Sequence, residues 1–492
     1  MLTRLPRFTR LAAFSALLLS STSVAHALEG KALFDQIMGK NLKGATVTSK
    51  NFISDSADSF TMIDVVVSAP NKEPIKIKTL VVRGLKEIGE DRIEVDAFTI
   101  LGFSLNSRRE GNITVEGISL SGASFPTFLF GGDYSAQQKK ARVKIKGFAI
   151  NDFEVVKGKV NVKMGTFAFN NADIPLDFRY DGEESTEPPA APLTIQALGT
   201  TKLYNSQDGL TMSLASFSAA NISIPTSLAV APTEWMKLYS ALSIDDAKSS
   251  IGDKQVFSMT RLSGTLSKAN SEGTYTSTST MEGLEVNLKA IPDQNAQQIA
   301  AQLGYDKIQG SMVGNGTYNP DSGRLTIDDL SMNLKDMFDM TMKYAINGYT
   351  KDVAQQFTKV QAEIAAGKNP AQAYGAIMPS LSKVKLEAFS LNLVDHSLTG
   401  KLLDYQAGQM GTTGEQLALG APMMIGMGMG QLNMPVFTEM VSTALGNFLK
   451  NKGSISLVAR PSEPISIMQL VISGQADPTT LPDMLKLEVI GK

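Results

Sequence analysis

Apolar and polar residues alternate with a period of two through the first half of the chain, and this alternation constrains the fold most. It is clearest in the segments FTMIDVVVSA, EPIKIKTLVVRGL, DRIEVDAFTILGFSL, NITVEGISLSG, ARVKIKGFAINDF and GKVNVKMGTFAF. Successive side chains of a strand point to opposite faces, so each segment predicts a strand with one dry and one wet face. Short polar turns separate the segments, which favours antiparallel pairing.

The alternation of apolar and polar residues shifts by one position at several points inside these strands. The string apolar-x-apolar-x-small-apolar-x-apolar begins at Ile113, Val143, Met212, Leu325 and Val384, and the third copy is looser than the others. A shift of one residue moves every following side chain to the other face, so we predict a bulge or a local twist at the small residue. The irregular spacing of the copies excludes a strict solenoid. Chance reuse of such strings in a β-rich chain is the alternative.

This pattern resembles that of the AsmA-like envelope proteins of Gram-negative bacteria and their bridge-like relatives, over about residues 50–350. The resemblance implies long, strongly curved sheets whose apolar inner face holds lipid tails. It implies no catalytic residues. The chain departs from those families in having a cleavable signal where they usually keep a membrane anchor. Its modest length also argues against a complete bridge between two membranes.

Helices enter the second half of the chain. The segment PDQNAQQIAAQLG predicts a helix that ends at Gly304, and KDVAQQFTKVQAEIAAG predicts a clearer amphipathic helix that ends at Gly367. The fold class that follows is α+β. It is predominantly antiparallel β, as a curved, twisted and half-apolar sheet, with inserted helices and a helical C-terminal part.

The predicted domains follow these changes of pattern. Residues 28–180 form a β-rich domain, and the acidic, proline-rich segment DGEESTEPPAAP, residues 181–192, is a linker or an exposed loop. Residues 193–350 are β-rich with short helices. Residues 351–492 form an α+β region with amphipathic helices.

The first 27 residues predict a secretory signal peptide. Three arginines precede an apolar run over residues 11–19, and the segment closes on Ala25-His26-Ala27, a small-x-small cleavage site. The run is too short to span a bilayer, and no later segment is long enough. We therefore expect an exported, periplasmic protein of residues 28–492 without a transmembrane segment. A retained N-terminal anchor is the alternative.

Composition limits the chemistry of this exported chain. Removing three arginines with the signal leaves 43 basic against 48 acidic residues, a net charge of −5, without a basic stripe that would bind nucleic acid. The chain has no cysteine, and His396 is the one histidine after residue 27. In VDHSL it stands beside Asp395 and Ser397, but consecutive strand residues point to opposite faces and do not form a triad. We predict no enzyme, no cofactor, and no catalytic or metal-binding residues.

The stretch APMMIGMGMGQLNMP, residues 421–435, concentrates methionine and glycine. Thioethers bind copper(I), but the usual histidine or cysteine partners are missing. A phosphate loop would need a preceding strand and a nearby cation, and fifteen residues cannot span a bilayer. Soft apolar packing remains, either as core or as the wall of a lipid site. The candidate wall consists of Met423, Met424, Met427, Met429, Phe437 and Met440.

Two amphipathic helices flank this stretch. Thr412 and Thr413, followed by Glu415 and Gln416, predict a capping box at the start of the first helix. Pro422 and three glycines should kink and weaken it, at about 1 kcal/mol per glycine relative to alanine. The methionine-rich segment is thus expected to be loosely helical or irregular.

The second helix of the pair follows this segment. Asn433 is its candidate N-cap, Pro435 lies in its first turn and Gly453 lies past its end.

The functional prediction is a periplasmic, non-enzymatic protein that binds or handles lipid or another hydrophobic ligand in envelope maintenance. The alternative is a structural or scaffolding protein that acts through contacts with envelope proteins. Repeated half-apolar strands and the flexible methionine-rich segment favour the first hypothesis.

Overall fold

The computed structural model describes residues 30–41, 46–70, 72–89, 91–127, 141–176, 192–224, 238–267, 270–365, 367–430 and 434–492. The chain divides into two compact units, an N-terminal unit of residues 1–228 and a C-terminal unit of residues 229–492. The predicted signal peptide and residues 181–191 of the predicted linker lie outside the described residues.

The N-terminal unit contains one described helix, α1 (Gly30–Asn41), and an antiparallel sheet. Its strands are β1 (Thr46–Ser56), β2 (Ser59–Ser68), β3 (Ile75–Arg83), β4 (Lys86–Ile88), β5 (Arg92–Ser107), β6 (Gly111–Pro126), β7 (Arg142–Lys157), β8 (Val160–Pro175), β9 (Leu193–Gln207) and β10 (Leu210–Ile224). Each strand pairs with the next along the chain, except that β3 pairs with β5 and the short β4 lies beside β5. Consecutive pairing follows from the short turns in the sequence.

The predicted phase shifts coincide with breaks in strand pairing. In all five copies of the string, the pairing ladder skips the residue just before the small one: Glu116, Lys146, Ala215, Asp328 and Glu387. On the strands beside Glu116, the residues opposite are Gly102 and Asp152, whose φ angles are +63° and +48°. At this break, the two strands that flank the middle one therefore each have a residue in the left-handed conformation. These residues bend the sheet, and the strands stay in register on both sides of the break.

Apolar residues of the N-terminal unit form one core. It contains 27 buried residues, and the phenyl ring of Phe34 on α1 meets that of Phe60 at 5.3 Å. A row of direct cross-strand partners runs through it, which we call the N-terminal row: Phe60, Val82, Phe98, Leu120 and Phe148. Their exposed fractions rise from 1% at Phe60 to 8% at Phe148. From β2 to β7 the dry face of this sheet is therefore covered, whereas the continuation of the row through Phe169 on β8 and Leu198 on β9 is intermediate in exposure.

The C-terminal unit combines an antiparallel sheet with helices. Its strands are β11 (Ala241–Ile251), β12 (Lys254–Leu266), β13 (Tyr275–Asn287), β14 (Lys307–Asn319), β15 (Arg324–Leu334), β16 (Phe338–Asn347), β17 (Lys385–Asp395), β18 (Ser454–Ala459), β19 (Ile465–Ser466) and β20 (Leu487–Gly491). Its described helices are α2 (Gln294–Gln302), α3 (Lys351–Ala365), α4 (Pro370–Leu381), α5 (Leu398–Met410), α6 (Gly414–Gly430), α7 (Pro435–Asn451), α8 (Ile467–Ala476) and α9 (Leu481–Leu485).

Strands β11 to β17 pair in chain order, β18 lies between β17 and β20, and β19 pairs with β17. Helices are inserted between these strands, so the predicted fold class is confirmed: mostly antiparallel β, with helices that include the C-terminal part. Helices α2 and α3 lie where the sequence predicts them. The α2 cap is the Asp293 carboxylate, which accepts hydrogen bonds from the backbone N–H groups of Asn295 and Ala296.

The division of the chain differs from the predicted one at residues 181–192. Strands β8 and β9 flank that segment and pair directly, so the sheet continues through this point in space. The units divide at residue 228 instead. A proline-rich, acidic segment marks a break in local pattern, and it carries no information on whether the strands around it pair.

Candidate functional site

A row of apolar residues crosses eight strands of the C-terminal unit. Each member is the direct cross-strand partner of the next, so all share one face of the sheet. We call it the apolar row: Ile244, Leu262, Met281, Met312, Met332, Met340, Leu393 and Ile455. Four consecutive positions are methionine.

From β15 to β18 this face is apolar beside the row as well, and the opposite face is polar. A second row of direct cross-strand partners lies two residues away from the apolar row on each of these strands: Leu330, Met342, Leu391 and Leu457. The row between them points to the other face and contains Ser331, Thr341, Asn392 and Ser456. The sheet of the C-terminal unit is therefore amphipathic.

The apolar row is only half covered. Every one of its eight members is intermediate in exposure, neither buried nor fully exposed. In contrast, the N-terminal row reaches at most 8% exposure. An apolar face of this length that stays partly open to solvent is the most distinctive surface of the C-terminal unit.

One end of this face is covered by α7. Gly491 on β20 is the partner of Ile455 and so lies on the same face. A Cβ atom at Gly491 would lie 1.7 Å from the carbonyl oxygen of Ala444 on α7, so glycine is what allows the helix to lie this close. Between α7 and β20 an open groove of about 420 Å³ is lined by residues that include Val436, Met440 and Val489.

The six predicted wall residues are not brought together. Met423, Met424 and Met427 are exposed by 73%, 55% and 72% on α6. Met429 and Phe437 are half-buried. Of the six, Met440 alone lines the groove between α7 and β20. The methionines of α6 thus form an exposed ridge rather than a wall of this groove.

The methionine-rich stretch is more regular than expected. Its residues 421–430 belong to one helix, α6, with Pro422 inside it. The predicted capping box is present, since the Gln416 backbone N–H donates to Thr413 Oγ1 and the Thr413 N–H donates to Gln416 Oε1. The Pro422 ring lies against α7 at Gly446, where a Cβ atom would come within 2.6 Å of Pro422 Cγ. Packing against α7 offsets the weak helix propensity.

The ends of α7 follow the prediction in part. Pro435 is in the first turn, but Asn433 lies outside the described residues, and Met434 occupies the N-cap without a side-chain hydrogen bond. At the C-terminal end, Lys452 adopts the left-handed conformation at φ +52°. Gly453 follows it and is needed for another reason, because a Cβ atom there would lie 2.4 Å from the Lys492 backbone oxygen.

Asp395, His396 and Ser397 do not form a triad. The imidazole Nε2 of His396 lies 2.9 Å from Asp339 Oδ2. Ser397 donates its hydroxyl to the backbone oxygen of Asp336, and Asp395 Oδ1 accepts from the Thr399 N–H at the start of α5. Each of the three side chains therefore has a separate partner, and β17 ends at Asp395, so His396 and Ser397 lie beyond the strand.

An aromatic cluster lies at the C-terminal end of β14. Tyr318 is 4% exposed and donates its hydroxyl to the Tyr349 backbone oxygen at 2.9 Å. Burial raises the pKa of Tyr318 to about 12 and also raises the pKa of Tyr349. The Tyr349 ring lies 6.0 Å from that of Phe357 on α3. The cluster joins the sheet to the helices without contributing a charged group.

Sequence reasoning missed the apolar row. Its residues lie in strands that the alternation can detect, but their alignment depends on seven registers between neighbouring strands, which no single strand specifies. The signal that could have found it is the repeated placement of methionine in consecutive strands, at Met281, Met312, Met332 and Met340.

Metal-ligand clusters and membrane-spanning helices are both absent from the described part of the chain. Among the described residues, no three histidine, aspartate or glutamate side chains cluster as a metal site requires. In the same part of the chain, no helix is both long enough and apolar enough to cross a membrane.

The comparisons give little functional information. Residues 331–492, which hold the end of β15 and all elements after it, match a family described as an uncharacterized protein. No curated protein matches the chain.

Proposed function

We propose that this is an exported envelope protein that binds lipid tails, or another elongated apolar molecule, along the apolar face of β11 to β18. The observation that carries the proposal is the continuous, half-covered apolar row. Neither enzymatic chemistry nor a metal takes part in it.

The size of the row fits such a ligand. Eight strands at a spacing of about 4.8 Å extend over roughly 34 Å. One leaflet of a bilayer contributes about half of a hydrocarbon core of about 30 Å, so a single tail needs roughly 15 Å. The row therefore accommodates a complete acyl chain with room to spare.

The chemistry of the row also fits. Methionine is unbranched and polarizable, so the four central side chains can adapt to chains of different length and saturation. The row contains no ionisable side chain that would lose hydration under a tail. Each methylene that the face removes from water contributes about 0.8 kcal/mol, so ten methylenes would provide ample affinity.

Site-specific photo-crosslinking tests the proposal. Because the chain has no cysteine, Met340→Cys and Thr341→Cys each provide a single attachment point for a thiol-reactive benzophenone. These neighbouring residues point to opposite faces of β16. We expect crosslinks to lipid from position 340 and few from position 341. Equal yields from two folded variants would contradict the proposal.

A charge variant gives a second test. Met332→Lys places a cation in the centre of the row, and we expect the purified protein to lose co-purifying lipid by native mass spectrometry. Met332→Leu keeps shape and polarity and should retain it. A wild-type protein that is empty of lipid and bound to an envelope protein would favour the scaffolding alternative.

A further inference from the structure

Strand β20 forms an edge of the C-terminal sheet, since β18 is its one strand partner among the described residues. Ser454 and Lys492 exchange backbone hydrogen bonds in both directions, so they are a hydrogen-bonded pair. Hydrogen-bonded and non-hydrogen-bonded pairs alternate along an antiparallel ladder. The backbone N–H and C=O groups of Leu487, Val489 and Gly491 therefore point away from β18, at the outer edge of the sheet.

This outer edge is accessible. Asn447 donates a long hydrogen bond of 3.5 Å from Nδ2 to the Gly491 oxygen. Within the described part of the chain, no other partner bonds the outward groups of Leu487, Val489 or Gly491. The open groove between α7 and β20 runs beside Val489 and Gly491. Because unpaired backbone groups at an edge are a template for further pairing, a second strand can add to β20.

The side chains of β20 favour one particular second strand. Ile490 is 46% exposed, and its partner Ser456 belongs to the polar row, so Ile490 is an apolar side chain on the polar face. Glu488 and Lys492 lie two residues away on either side of Ile490, are exposed and share its face. Charges of one sign at an edge repel a second strand. Here the two charges have opposite signs and lie at equal distances from Ile490, so the edge is complementary to itself.

We propose that β20 pairs antiparallel with β20 of a second copy of this chain, about a two-fold axis that passes beside Ile490. An axis normal to the sheet keeps the polar faces of both copies on the same side. Ile490 then faces Ile490, and Glu488 of each copy faces Lys492 of the other. The outward N–H and C=O groups of Val489 bond those of Gly491 in the second copy, so the outward groups of both residues are used.

Neighbouring registers fit less well. With Val489 on the axis, Glu488 would face Ile490 and Lys486 would face Lys492. With Glu488 on the axis, two carboxylates would face each other. Opposite charges across an antiparallel pair stabilise it, and like charges directly opposite destabilise it. The side chains of β20 therefore select the register that is centred on Ile490.

This pairing goes beyond the proposed function and does not depend on it. Because the axis is normal to the sheet, the apolar faces of both copies lie on the same side. The row through Ile455 and Gly491 then continues to Val489 and Leu457 of the second copy. For a chain that binds lipid as proposed above, the dimer joins two apolar faces.

Disulfide trapping tests the pairing. The chain has no cysteine, so Ile490→Cys gives each copy a single thiol. Facing Cβ atoms of an antiparallel pair lie about 4.5–5.5 Å apart, close to the separation in a disulfide. We expect mild oxidation to convert Ile490→Cys to a covalent dimer at about ten times the yield of Ile472→Cys, a control isoleucine on α8 that is 52% exposed. The trap suits a strand of five residues, since so small an interface gives a weak dimer.

A charge exchange in the Ile490→Cys background tests the register. Glu488→Lys places lysines opposite each other at both ends of the pair and should lower the yield of trapped dimer about tenfold. Adding Lys492→Glu exchanges the two charges and should restore the yield. Both side chains are exposed, so the circular dichroism spectrum should not change.

A backbone variant in the same background tests the hydrogen bonds. Val489→Pro removes an N–H that points away from β18, so the ladder to β18 keeps its bonds. We expect it to abolish trapping at position 490. Val489→Ala keeps the N–H and should still be trapped.

Several results would overturn the proposal. These are a yield from Ile490→Cys no higher than from Ile472→Cys, trapping that Glu488→Lys leaves unchanged, or a charge exchange that does not restore it. Trapping at Val489→Cys instead of Ile490→Cys would assign the edge to a different register. None of these experiments contains lipid, and lipid crosslinking at Met340→Cys requires no dimer, so the two proposals can fail independently.

Discussion

The N-terminal row from Phe60 to Phe148 is at most 8% exposed, whereas the apolar row from Ile244 to Ile455 is intermediate in exposure in every strand. Both rows are built from direct partners in consecutive antiparallel strands. In the first case the apolar side chains belong to one buried cluster that also contains α1. In the second, α7 covers the β20 end of the face. The same strand pattern can therefore produce a core or an open face, depending on what covers it.

The largest expected effect on the free energy of unfolding comes from truncating a methionine of the N-terminal core, compared with truncating a methionine of the apolar row. Met62 is 3% exposed in the N-terminal core, and Met340 is half-buried in the apolar row. Met62→Ala should lower the free energy of unfolding by about 3 kcal/mol, since it leaves a cavity, and Met340→Ala by about 1 kcal/mol. Urea unfolding followed by circular dichroism measures both. Equal losses would mean that the C-terminal face is packed as tightly as the N-terminal core.

The second effect concerns the covered end of the C-terminal face. Gly491→Ala would place a Cβ atom on the Ala444 carbonyl oxygen, so α7 must move from β20. We expect a loss of about 2 kcal/mol. Gly375→Ala is the control, because open space surrounds that position on α4. If both substitutions are neutral in thermal unfolding, α7 does not hold this edge of the sheet.

The third effect appears at alkaline pH. Tyr318 has a pKa of about 12 in the folded chain against an ordinary value of 10.0. Burial favours the neutral phenol of Tyr318. The contribution of Tyr318 to the free energy of unfolding is therefore complete below pH 10 and is lost as the pH rises towards 12. The loss should amount to about 1–2 kcal/mol. Tyr318→Phe should show a shallower decline of the free energy of unfolding over this window; identical slopes would mean that burial does not raise the pKa of Tyr318.

The smallest effect should be a gain. Gly426→Ala and Gly428→Ala fill open positions in α6 and should each stabilise the chain by about 0.5–1 kcal/mol. A gain in melting temperature would show that the fold does not require glycine at these two positions. Destabilisation would instead reveal a close neighbour of α6.

Local features of the chain were predictable because local forces set them. The capping box of Thr413 and Gln416 is a four-residue pattern with its own hydrogen bonds. The phase shifts were also readable, since a side chain that must stay on the dry face forces a break in alternation. In β5 the alternation of buried residues breaks twice, between Val95 and Phe98 and between Ile100 and Phe103. The two breaks are five residues apart. The string found in the sequence does not include either of them.

The methionine-rich stretch shows where local reasoning stopped. Its composition indicates soft, adaptable packing, but it gives no partner. Pro422 and three glycines predicted an irregular segment, yet contact with Gly446 on α7 keeps α6 helical. The same contact turns Met423 and Met427 towards solvent, so the predicted wall became an exposed ridge.

The sequence by itself determined the antiparallel strands, their breaks, the helix caps and the lack of cysteine, because each depends on neighbouring residues or on composition alone. Only the tertiary structure decided that Met281, Met312, Met332 and Met340 lie in one row. Strand register joins residues that are far apart in the chain, and burial depends on what covers the completed sheet. These two quantities separate the closed core of the N-terminal unit from the open face of the C-terminal unit.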